Sequence, residues 1–543
     1  MTTAPAGRRR SRPDVNPARM SAAEAAGLVS SGSTLAVEGS GGGVIEPTAL
    51  LEALGSRSAE SGEPRDLTVY FCAGIGDKQG SGLDNLARPG LLRRAIGGHF
   101  GMNPGLTALV ASGQVEGFNF PQGVLTQMYR EVAAGRPGVL TKVGLGTFCD
   151  PRLDGGRLSP GPTGDLVRVV EIEGDDWLLY RALPIDFAFI RATTADERGN
   201  LTMEHEVASL GVLALAMACH NSGGKVIAQV ERMAASHSLR ARDVVVPAHL
   251  VDVVVVVPEQ RQTIIGRYQP GLSGEFRAPV DAIPALPAGE RAVIARRAAA
   301  EIVPGAVVNV GVGMADGVPA VLLAEGRLED VVLTVEQGLS GGVPAQGVLF
   351  GAVWNPDSMI DAPSQFDFFD GGGLDIACLG FAEVDRYGNV NASRVGDTVF
   401  GAGGFINISQ SAGRVVFCGT LTAGGLVVRV GGGRIAIERE GRHRKFVDSV
   451  QHMTFSAAQA RARGQRVTYV TERAVFELGD DGPVLVEIAA GLDVERDVLA
   501  HMAFRPAVAQ PLRTMDAALF PDDPTGSAGA KREPAPATAE RRP

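Results

Sequence analysis

The sequence predicts an α/β protein made of two related open α/β domains that arose by internal duplication. Short β-branched runs end repeatedly in glycine loops, one stretch recurs in register, and 71 of the 543 residues are glycine. Short apolar runs closed by glycine are typical of parallel strands that alternate with helices. A chain of this length is too long for one hydrophobic core, so at least two domains are expected.

The first predicted strand covers residues 34–37 and leads into a glycine loop at Gly41, Gly42 and Gly43. A helix over residues 48–54 follows this loop. A strand, a glycine loop and a helix in this order form a place where backbone amides receive an anion. The loop is therefore a candidate binding element, although many α/β turns need glycine only for their geometry.

Further segments of the first half also end in turns that contain glycine. A strand over residues 67–71 precedes Gly74, and later segments lead to Gln122-Gly123 and to Gly144. Repeated strands that each end in such a turn predict a parallel sheet with helical crossovers.

One segment of the first half recurs in the second half without a gap. Residues 186–200 align with residues 375–389, and the same offset continues from residues 222–226 to residues 411–415. An ungapped register of this length predicts that the two halves are related domains. The Pro-rich residues 269–289 between them are predicted to be a linker.

These patterns define the predicted domain boundaries. They are a disordered tail over residues 1–18, an N-terminal domain over 19–268, the linker over 269–289, a C-terminal domain over 290–520, and a second disordered tail over 521–543.

Composition excludes several functional classes. The net charge of −10 provides no basic surface for nucleic acid, and the five cysteines lack the spacing of a metal site or a disulfide framework. The longest apolar run, residues 251–257, is too short to cross a bilayer. No apolar signal-peptide segment follows the arginines at residues 8–10. We therefore expect a cytoplasmic protein with no nucleic-acid or membrane partner and no metal site.

The most informative stretch of the chain is residues 331–344. Its β-branched beginning predicts a buried parallel strand whose C-terminal end carries Glu336. Open α/β sheets bind their ligands at this end of the strands, and the glycines at 338 and 341 let a ligand approach closely. A carboxylate in this position suits a nucleophile. The alternative is a solvated glutamate in an ordinary loop.

Each half carries a glycine loop, but only the second half carries the Val-Glu-Gln-Gly strand end at residues 335–338. This asymmetry predicts an active site at the interface of the two domains, because ligand sites favour such interfaces.

With these motifs the sequence resembles the family I coenzyme A transferases, most closely the single-chain acetate/propionate (acyl-CoA:carboxylate) CoA-transferase type. The resemblance extends over most of the chain, from about residue 18 to about residue 515. It is carried by motifs at residues 121–123, 134–138, 146–147, 309–314, 334–344, 364–375, 388–389, 401–407, 419–425 and 471–476.

The resemblance implies that Glu336 is the nucleophile of a ping-pong reaction through a glutamyl-CoA thioester. The substrates would be acyl-CoA and small carboxylic acids, with coenzyme A as a cosubstrate and no permanently bound cofactor. Family members of this kind also lead us to expect a homo-oligomer.

The resemblance further implies roles for residues around Glu336. Backbone groups of Gly403 and Gly404, together with the loop at Gly41, Gly42 and Gly43, are candidate oxyanion donors. Gln122 would face the substrate carboxylate. Gly311, Val312 and Gly313 would lie against CoA or the acyl group, and Asn389 either lies near the thioester or only forms a turn. All of these residues lie in the motifs that carry the resemblance or in the first-half glycine loop.

One feature departs from the family pattern. Many members carry a Gly-Gly-Phe turn in the first domain, where this chain has Glu-Gly-Ser-Gly-Gly-Gly at residues 38–43. We expect the missing aromatic ring to open the acyl side of the pocket. Two other functions stay open on this scaffold: acyl-CoA hydrolysis through the same nucleophile, and non-catalytic binding of acyl-CoA or a sugar phosphate.

Overall fold

The computed structural model of the protein describes residues 16–162, 165–279, 286 and 289–522. The helices in this part of the chain are α1 (Ala22–Gly27), α2 (Thr48–Ser61), α3 (Pro104–Ala111), α4 (Gln122–Ala133), α5 (Val212–Asn221), α6 (Pro270–Ser273), α7 (Glu290–Ala299), α8 (Val318–Ala324), α9 (Ala362–Asp370), α10 (Phe405–Ser411) and α11 (Ala457–Ala462). Among the described residues no helix is both long and apolar enough to cross a bilayer.

The strands of the first half are β1 (Ala18–Arg19), β2 (Thr34–Val37), β3 (Leu67–Phe71), β4 (Leu92–Gly97), β5 (Glu116–Asn119), β6 (Gly138–Thr141), β7 (Val167–Ile172), β8 (Asp175–Arg181), β9 (Phe187–Asp196), β10 (Leu201–Thr202), β11 (Lys225–Ala234) and β12 (Val253–Val256). The strands β2 and β3 have the bounds that the sequence predicts. Helix α2 continues seven residues past its predicted end.

The strands of the second half are β13 (Val307–Val310), β14 (Val332–Val335), β15 (Leu339–Ser340), β16 (Val343–Pro344), β17 (Val353–Trp354), β18 (Ser358–Met359), β19 (Ile376–Gly380), β20 (Glu383–Asp385), β21 (Val390–Asn391), β22 (Arg394–Val395), β23 (Thr398–Val399), β24 (Arg414–Cys418), β25 (Thr422–Ala423), β26 (Val427–Gly431), β27 (Arg434–Arg439), β28 (His443–Arg444), β29 (Phe446–Val447), β30 (Arg466–Val470), β31 (Ala474–Leu478), β32 (Pro483–Ile488) and β33 (Ala507–Thr514).

Two large sheets organise the described part of the chain. The first has the order β1-β12-β11-β9-β2-β3-β4-β5 with β10 paired to β9, and the second has the order β18-β15-β14-β13-β19-β24-β30-β31-β32-β33. Five adjacent strands of the first sheet, β12-β11-β9-β2-β3, correspond to β30-β24-β19-β13-β14 of the second, and all neighbours within both sets are parallel. The predicted duplication is confirmed at the level of topology.

The repeated segments also form the same hydrogen bonds. The Asp186 carboxylate accepts from the backbone amide at the start of β2, and the Asp375 carboxylate accepts from the amide at the start of β13, both at 2.8 Å. Asp196 accepts from the amide and the side chain of Asn200, and Asp385 accepts in the same way from Asn389. Identical side chains at matched positions therefore perform the same structural task in both halves.

Apolar side chains pack on both faces of each sheet. The core on one face of the first sheet contains Ile190 and also includes Val335, Leu349 and Ile406 from the second half. Because this core is continuous across the boundary, the two halves are packed directly against each other.

The predicted tails and linker are only partly described. Residues 1–15, 280–285, 287–288 and 523–543 lie outside the described residues. The predicted N-terminal tail is wrong at its end, because β1 pairs with β12. The predicted C-terminal tail, which begins at residue 521, starts too early, since the Asp522 carboxylate accepts from the Gly432 amide at 2.7 Å.

Part of the predicted linker is ordered. Residues 270–273 form α6, and the Gly271 carbonyl accepts from the Asn355 amide at 2.8 Å. The Asn355 side chain in turn bonds both the amide and the carbonyl of Ala278. This part of the segment packs on the second half because its backbone groups find partners there. The domain boundaries themselves stay predictions.

Candidate active site

Glu336 directly follows β14, at the C-terminal end of the strand, as the sequence predicts. Strand β14 is parallel to β13 on one side but antiparallel to β15 on the other, so only one of its neighbours is of the predicted kind. The chain reverses at Gly338, which has φ +97°, and a Cβ atom there would overlap the Ile360 carbonyl. This glycine-dependent turn presents Glu336 at the tip of the strand.

The Glu336 carboxylate lies against Gly404 of the loop before α10. A Cβ atom on Gly404 would be 3.1 Å from Glu336 Oε2, so a side chain would crowd the carboxylate. Burial raises the pKa of Glu336 to about 7, and a hydrogen bond from Gln337 opposes this rise. Desolvation leaves the ionised carboxylate poorly stabilised, which is a property expected of an activated nucleophile.

Gln337 joins the strand end to the glycine loop of the first half. Its buried Nε2 donates to Ser40 Oγ at 3.2 Å, and Gly351 allows the chain to pass close to this amide. Glu336 is therefore next to a residue that spans the domain interface.

The three glycines of the first-half loop have different surroundings. Gly42 and Gly43 have φ of +75° and +77°. A Cβ atom on Gly42 would be 2.5 Å from the Val348 carbonyl, and one on Gly43 would be 3.0 Å from the Ile264 amide. A Cβ atom on Gly41 would lie 3.8 Å from its nearest neighbours, in ordinary contact. Gly42 and Gly43 thus allow close packing, whereas Gly41 has room for a Cβ atom.

Residues 348–349 of the second half pack on Gly42, in the loop whose missing aromatic ring is expected to open the acyl side of the pocket. That opening stays a prediction, and residues 348–349 occupy part of the space beside the glycine backbone.

An arginine that the sequence analysis did not single out supports this glycine loop. Arg191 Nη1 donates to the carbonyls of Gly43 and Glu46, and the same guanidinium forms a fully buried ion pair with Glu206 at 2.7 Å. The available signal was a charged residue inside the apolar strand that became β9. A buried arginine needs partners of this kind.

Gln122 and Gly403 are brought together at the domain interface. The Gln122 amide donates to the Gly403 carbonyl at 2.9 Å, and a Cβ atom on Gly403 would lie 3.8 Å from Gln122 Oε1. The Gly403 amide itself donates to the Gly98 carbonyl at 2.7 Å. Gly403 is therefore a poor candidate for an oxyanion donor, because its N–H group already has a partner.

Asn389 is held inside its turn. Its Nδ2 donates to Asp385 at 3.0 Å, and its Oδ1 accepts from the Ala457 amide at 2.9 Å. Asn200 has equivalent partners in the first half, where its Oδ1 accepts from the Ala248 amide. Both ends of the Asn389 carboxamide are occupied, which favours the turn-forming alternative.

The loop at Gly311, Val312 and Gly313 follows β13, the strand next to β14. The Gly311 amide donates to the Cys378 carbonyl at 2.8 Å, and Val312 is 54% exposed. Gly313 has φ +98° and open space around its Cα atom. This loop lies at the same sheet edge as Glu336 and offers an accessible surface.

Residues 19–257 match the family described as Coenzyme A transferase. The chain is 43% identical over 511 residues to the acetate CoA-transferase YdiF of Escherichia coli K12, covering 93% of this chain and 96% of that protein. The chain belongs to the coenzyme A transferase family. It is also 42% identical over 510 residues to the caffeate CoA-transferase of Acetobacterium woodii, covering 92% of this chain and 97% of that protein.

Solved structures agree with this assignment. The thioester complex of acyl-CoA transferase YdiF from Escherichia coli O157:H7 with CoA superposes with a TM-score of 0.90 at 41% identity, covering 95% of this chain and 98% of that one. The citrate lyase alpha subunit from Streptococcus mutans has a TM-score of 0.53 at 15% identity, covering 88% and 82%, and shares the fold alone. The chain is thus a CoA-transferase with the two-domain fold of this family.

Proposed function

We propose that this enzyme moves CoA from a short-chain acyl-CoA to a carboxylic acid by a ping-pong reaction through a glutamyl-CoA thioester on Glu336. The observation that carries the proposal is the desolvated Glu336 carboxylate at the end of β14, lying against Gly404 at the domain interface. Within the described part of the chain Glu336 forms no salt bridge, and such a carboxylate at the end of a strand suits covalent chemistry better than structural support.

The reaction proceeds by two exchanges at carbonyl carbon. A carboxylate oxygen of Glu336 attacks the thioester carbon of acyl-CoA, the C–S bond breaks, and a mixed anhydride and the CoA thiolate form. The thiolate then attacks the side-chain carbonyl carbon of Glu336 and releases the acyl group as a carboxylate. An acceptor carboxylate repeats the two exchanges in reverse, and Glu336 is restored.

Neutral residues around Glu336 stabilise the charge that develops in these exchanges. We assign the oxyanion donor to the Gly404 amide, because the Gly403 amide is bonded to Gly98. Gly41, which has room for a Cβ atom, completes the acyl side. Gln122 supplies an uncharged hydrogen-bonding group for the substrate carboxylate, and residues 311–313 lie along the path of CoA.

The size of the acyl group that the enzyme accepts is not determined by its overall similarity to known relatives. Two relatives with nearly the same sequence identity to this chain are named for acids of very different size, acetate and caffeate. The first-half loop lacks an aromatic side chain, but residues 348–349 approach it. We expect short-chain acids as substrates. We also propose that the enzyme is a homo-oligomer and that it acts in the cytoplasm.

Mass spectrometry of the intact protein and its peptides tests the proposal. Purified enzyme is incubated with acetyl-CoA or propionyl-CoA without an acceptor. We expect a CoA adduct on the peptide that contains Glu336, which a short-chain carboxylate discharges. An adduct that decays equally fast with or without added acid would instead indicate a hydrolase. Binding without any adduct would support a non-catalytic binding protein.

A further inference from the structure

Helix α4 carries Gln122 at its first position, and its N-terminus is capped by the second half of the chain. The first amides of a helix have no partner within the helix and usually receive one from the N-cap side chain. The N-cap residue here is Pro121, which forms no such bond. Instead, the Gln122 amide donates to the Gly403 carbonyl at 2.9 Å, and the Gly123 amide donates to Asn407 Oδ1 at 3.1 Å.

The orientation of Asn407 depends on Asp370. Asn407 Nδ2 donates to both carboxylate oxygens of Asp370, at 2.9 and 3.1 Å, and Gln127 Nε2 donates to Asp370 Oδ2 at 2.9 Å. An ionised carboxylate only accepts hydrogen bonds. Asp370 therefore directs the Asn407 amide nitrogen toward itself and leaves the amide oxygen for Gly123.

The position of Asp370 is unfavourable for its own helix. It is the last residue of α9, where the helix dipole disfavours negative charge, and Asp367 adds repulsion. Burial raises the pKa of Asp370 to about 6, against the hydrogen bonds from Asn407 and Gln127. Arg130 is close by but pairs with Asp367. A carboxylate at the C-terminal end of α9 does not stabilise that helix. The presence of Asp370 is better explained by its hydrogen bonds to Asn407 and Gln127.

The contact between the halves is as close as glycine permits. A Cβ atom on Gly123 would overlap Asn407 Nδ2 and lie 2.5 Å from Phe366 Cδ1. Asn407 is fully buried two residues after Phe405, where α10 begins, and Gly404 precedes that helix. The same short segment thus contacts both α4 and the Glu336 carboxylate.

We propose that Asp370 is a positioning residue for the transfer reaction. It orients Asn407, which holds the start of α4 and so fixes Gln122 relative to Gly404 and Glu336. This inference rests on the proposed function of Glu336. Misplacing a catalytic group by about 1 Å costs on the order of 100-fold in rate, so a small shift of α4 is measurable.

The pH dependence follows from two carboxylates with different tasks. Glu336 must be ionised to attack, and its pKa is raised to about 7. Asp370 must be ionised to accept from two donors, and it protonates as the pH falls below about 6. The groups that face Asp370 are Asn407 on α10, Gln127 on α4 and Asp367 on its own helix, and its charge also acts on Tyr180 of β8. We expect kcat/KM to fall with a slope of one below pH 7 and to steepen toward two below pH 6.

The test compares Asp370→Asn with Asp367→Asn. Asp367 lies on the same helix and also accepts from Gln127, at 3.0 Å, but has no bond to Asn407. In Asp370→Asn the new amide opposes the Asn407 amide, so we expect kcat to drop about 100-fold while the KM for acyl-CoA changes less than about threefold. The steeper part of the acid limb should disappear. Asp367→Asn should keep kcat within about threefold and retain both slopes.

A double-mutant cycle with Asn407→Ala and Asp370→Asn distinguishes a positioning role of Asp370 from a non-specific effect of the substitution on the fold. If Asp370 acts through Asn407, the double variant is no slower than the slower single variant. Multiplied losses would overturn the proposal, as would an Asp370→Asn enzyme with near-normal kcat. Thermal unfolding of each variant identifies loss of folded protein. A wild-type enzyme without a Glu336 adduct would refute the proposed function, whereas a normal wild-type adduct with an unaffected Asp370→Asn enzyme refutes only the positioning role.

Discussion

The two halves of the molecule share five parallel strands but use the C-terminal edges of these strands differently. In the first half, the edge is filled by its own buried polar side chains, among them Glu38 after β2, Arg191 in β9 and Gln229 in β11. The Arg191 guanidinium pairs with Glu206, and Gln229 bonds Gln260.

In the second half, the matched positions carry small residues. The register of β13 on β19 equals that of β2 on β9, so Gly311 corresponds to Glu38 and Gly380 to Arg191. The same register places Cys418 at the position of Gln229. A filled edge braces the glycine loop at Gly43, whereas an edge of small residues leaves room for a ligand. One duplicated scaffold therefore divides its work between support and binding.

The position of the proposed nucleophile, Glu336, also differs between the two halves. Strand β3 pairs with β2 as β14 pairs with β13, so Cys72 occupies the first-half position that corresponds to Glu336. Cys72 is buried, and burial raises the pKa of its thiol well above the ordinary value. A thiol that stays protonated is a poor nucleophile, so we expect Cys72 to have a structural role.

The largest expected effect comes from exchanging the nucleophile. Glu336→Gln keeps the shape of the side chain but removes the attacking carboxylate, so we expect transfer to fall by at least about 10⁴-fold and the CoA adduct to vanish. The matched change in the first half, Cys72→Ser, should keep the rate within about threefold per folded molecule. Initial rates and adduct mass measure both. A Cys72→Ser enzyme that folds normally but lacks activity would contradict the division between the halves.

A smaller effect is expected from filling the edge of the second half. A Cβ atom on Gly380 would meet only the Val312 carbonyl, at 3.0 Å, so Gly380→Val should fold while its side chain occupies the space beside residues 311–313. We expect the KM for acyl-CoA to rise about tenfold, with kcat changed by less than about threefold. Steady-state kinetics and calorimetric titration with CoA measure this effect. If Gly380→Val binds CoA as tightly as the wild-type enzyme, then CoA does not bind beside residues 311–313.

The smallest effect concerns stability in the first half. Burial raises the pKa of Glu38 to about 7, so the folded state holds a proton that the unfolded state releases near pH 4.5. Stability from this group is present at low pH and is lost as the pH rises through 7. Glu38→Gln should therefore raise the free energy of unfolding by about 1–3 kcal/mol at pH 8 and leave it nearly unchanged at pH 5.

Denaturant unfolding at both pH values measures this difference, with Glu52→Gln on the exposed face of α2 as the control. A Glu38→Gln protein that is destabilised equally at pH 5 and pH 8 would show that the carboxylate stabilises the fold through its bond to the Gly211 amide.

Local patterns in the sequence predict much of the fold and the position of Glu336. Residues that are near one another in the chain are enough to predict the bounds of β2 and β3, the repeat that contains Asp196 and Asp385, and the position of Glu336 at the end of a strand. Hydrophobic periodicity and glycine turns act over a few residues, so they can be recognised without the fold.

The tertiary structure decided which groups meet and how strongly water is excluded from them. Gly123 bonds Asn407 across 284 residues of sequence, Arg191 reaches Gly43 across 148, and Gly404 crowds Glu336 from a different segment. Hydrogen-bond partners and desolvation depend on neighbours in space rather than on neighbours in the chain. The sequence alone therefore predicts the scaffold and the proposed nucleophile, whereas the packed interface determines the raised pKa of Glu336 and the capping of the α4 N-terminus by the second half of the chain.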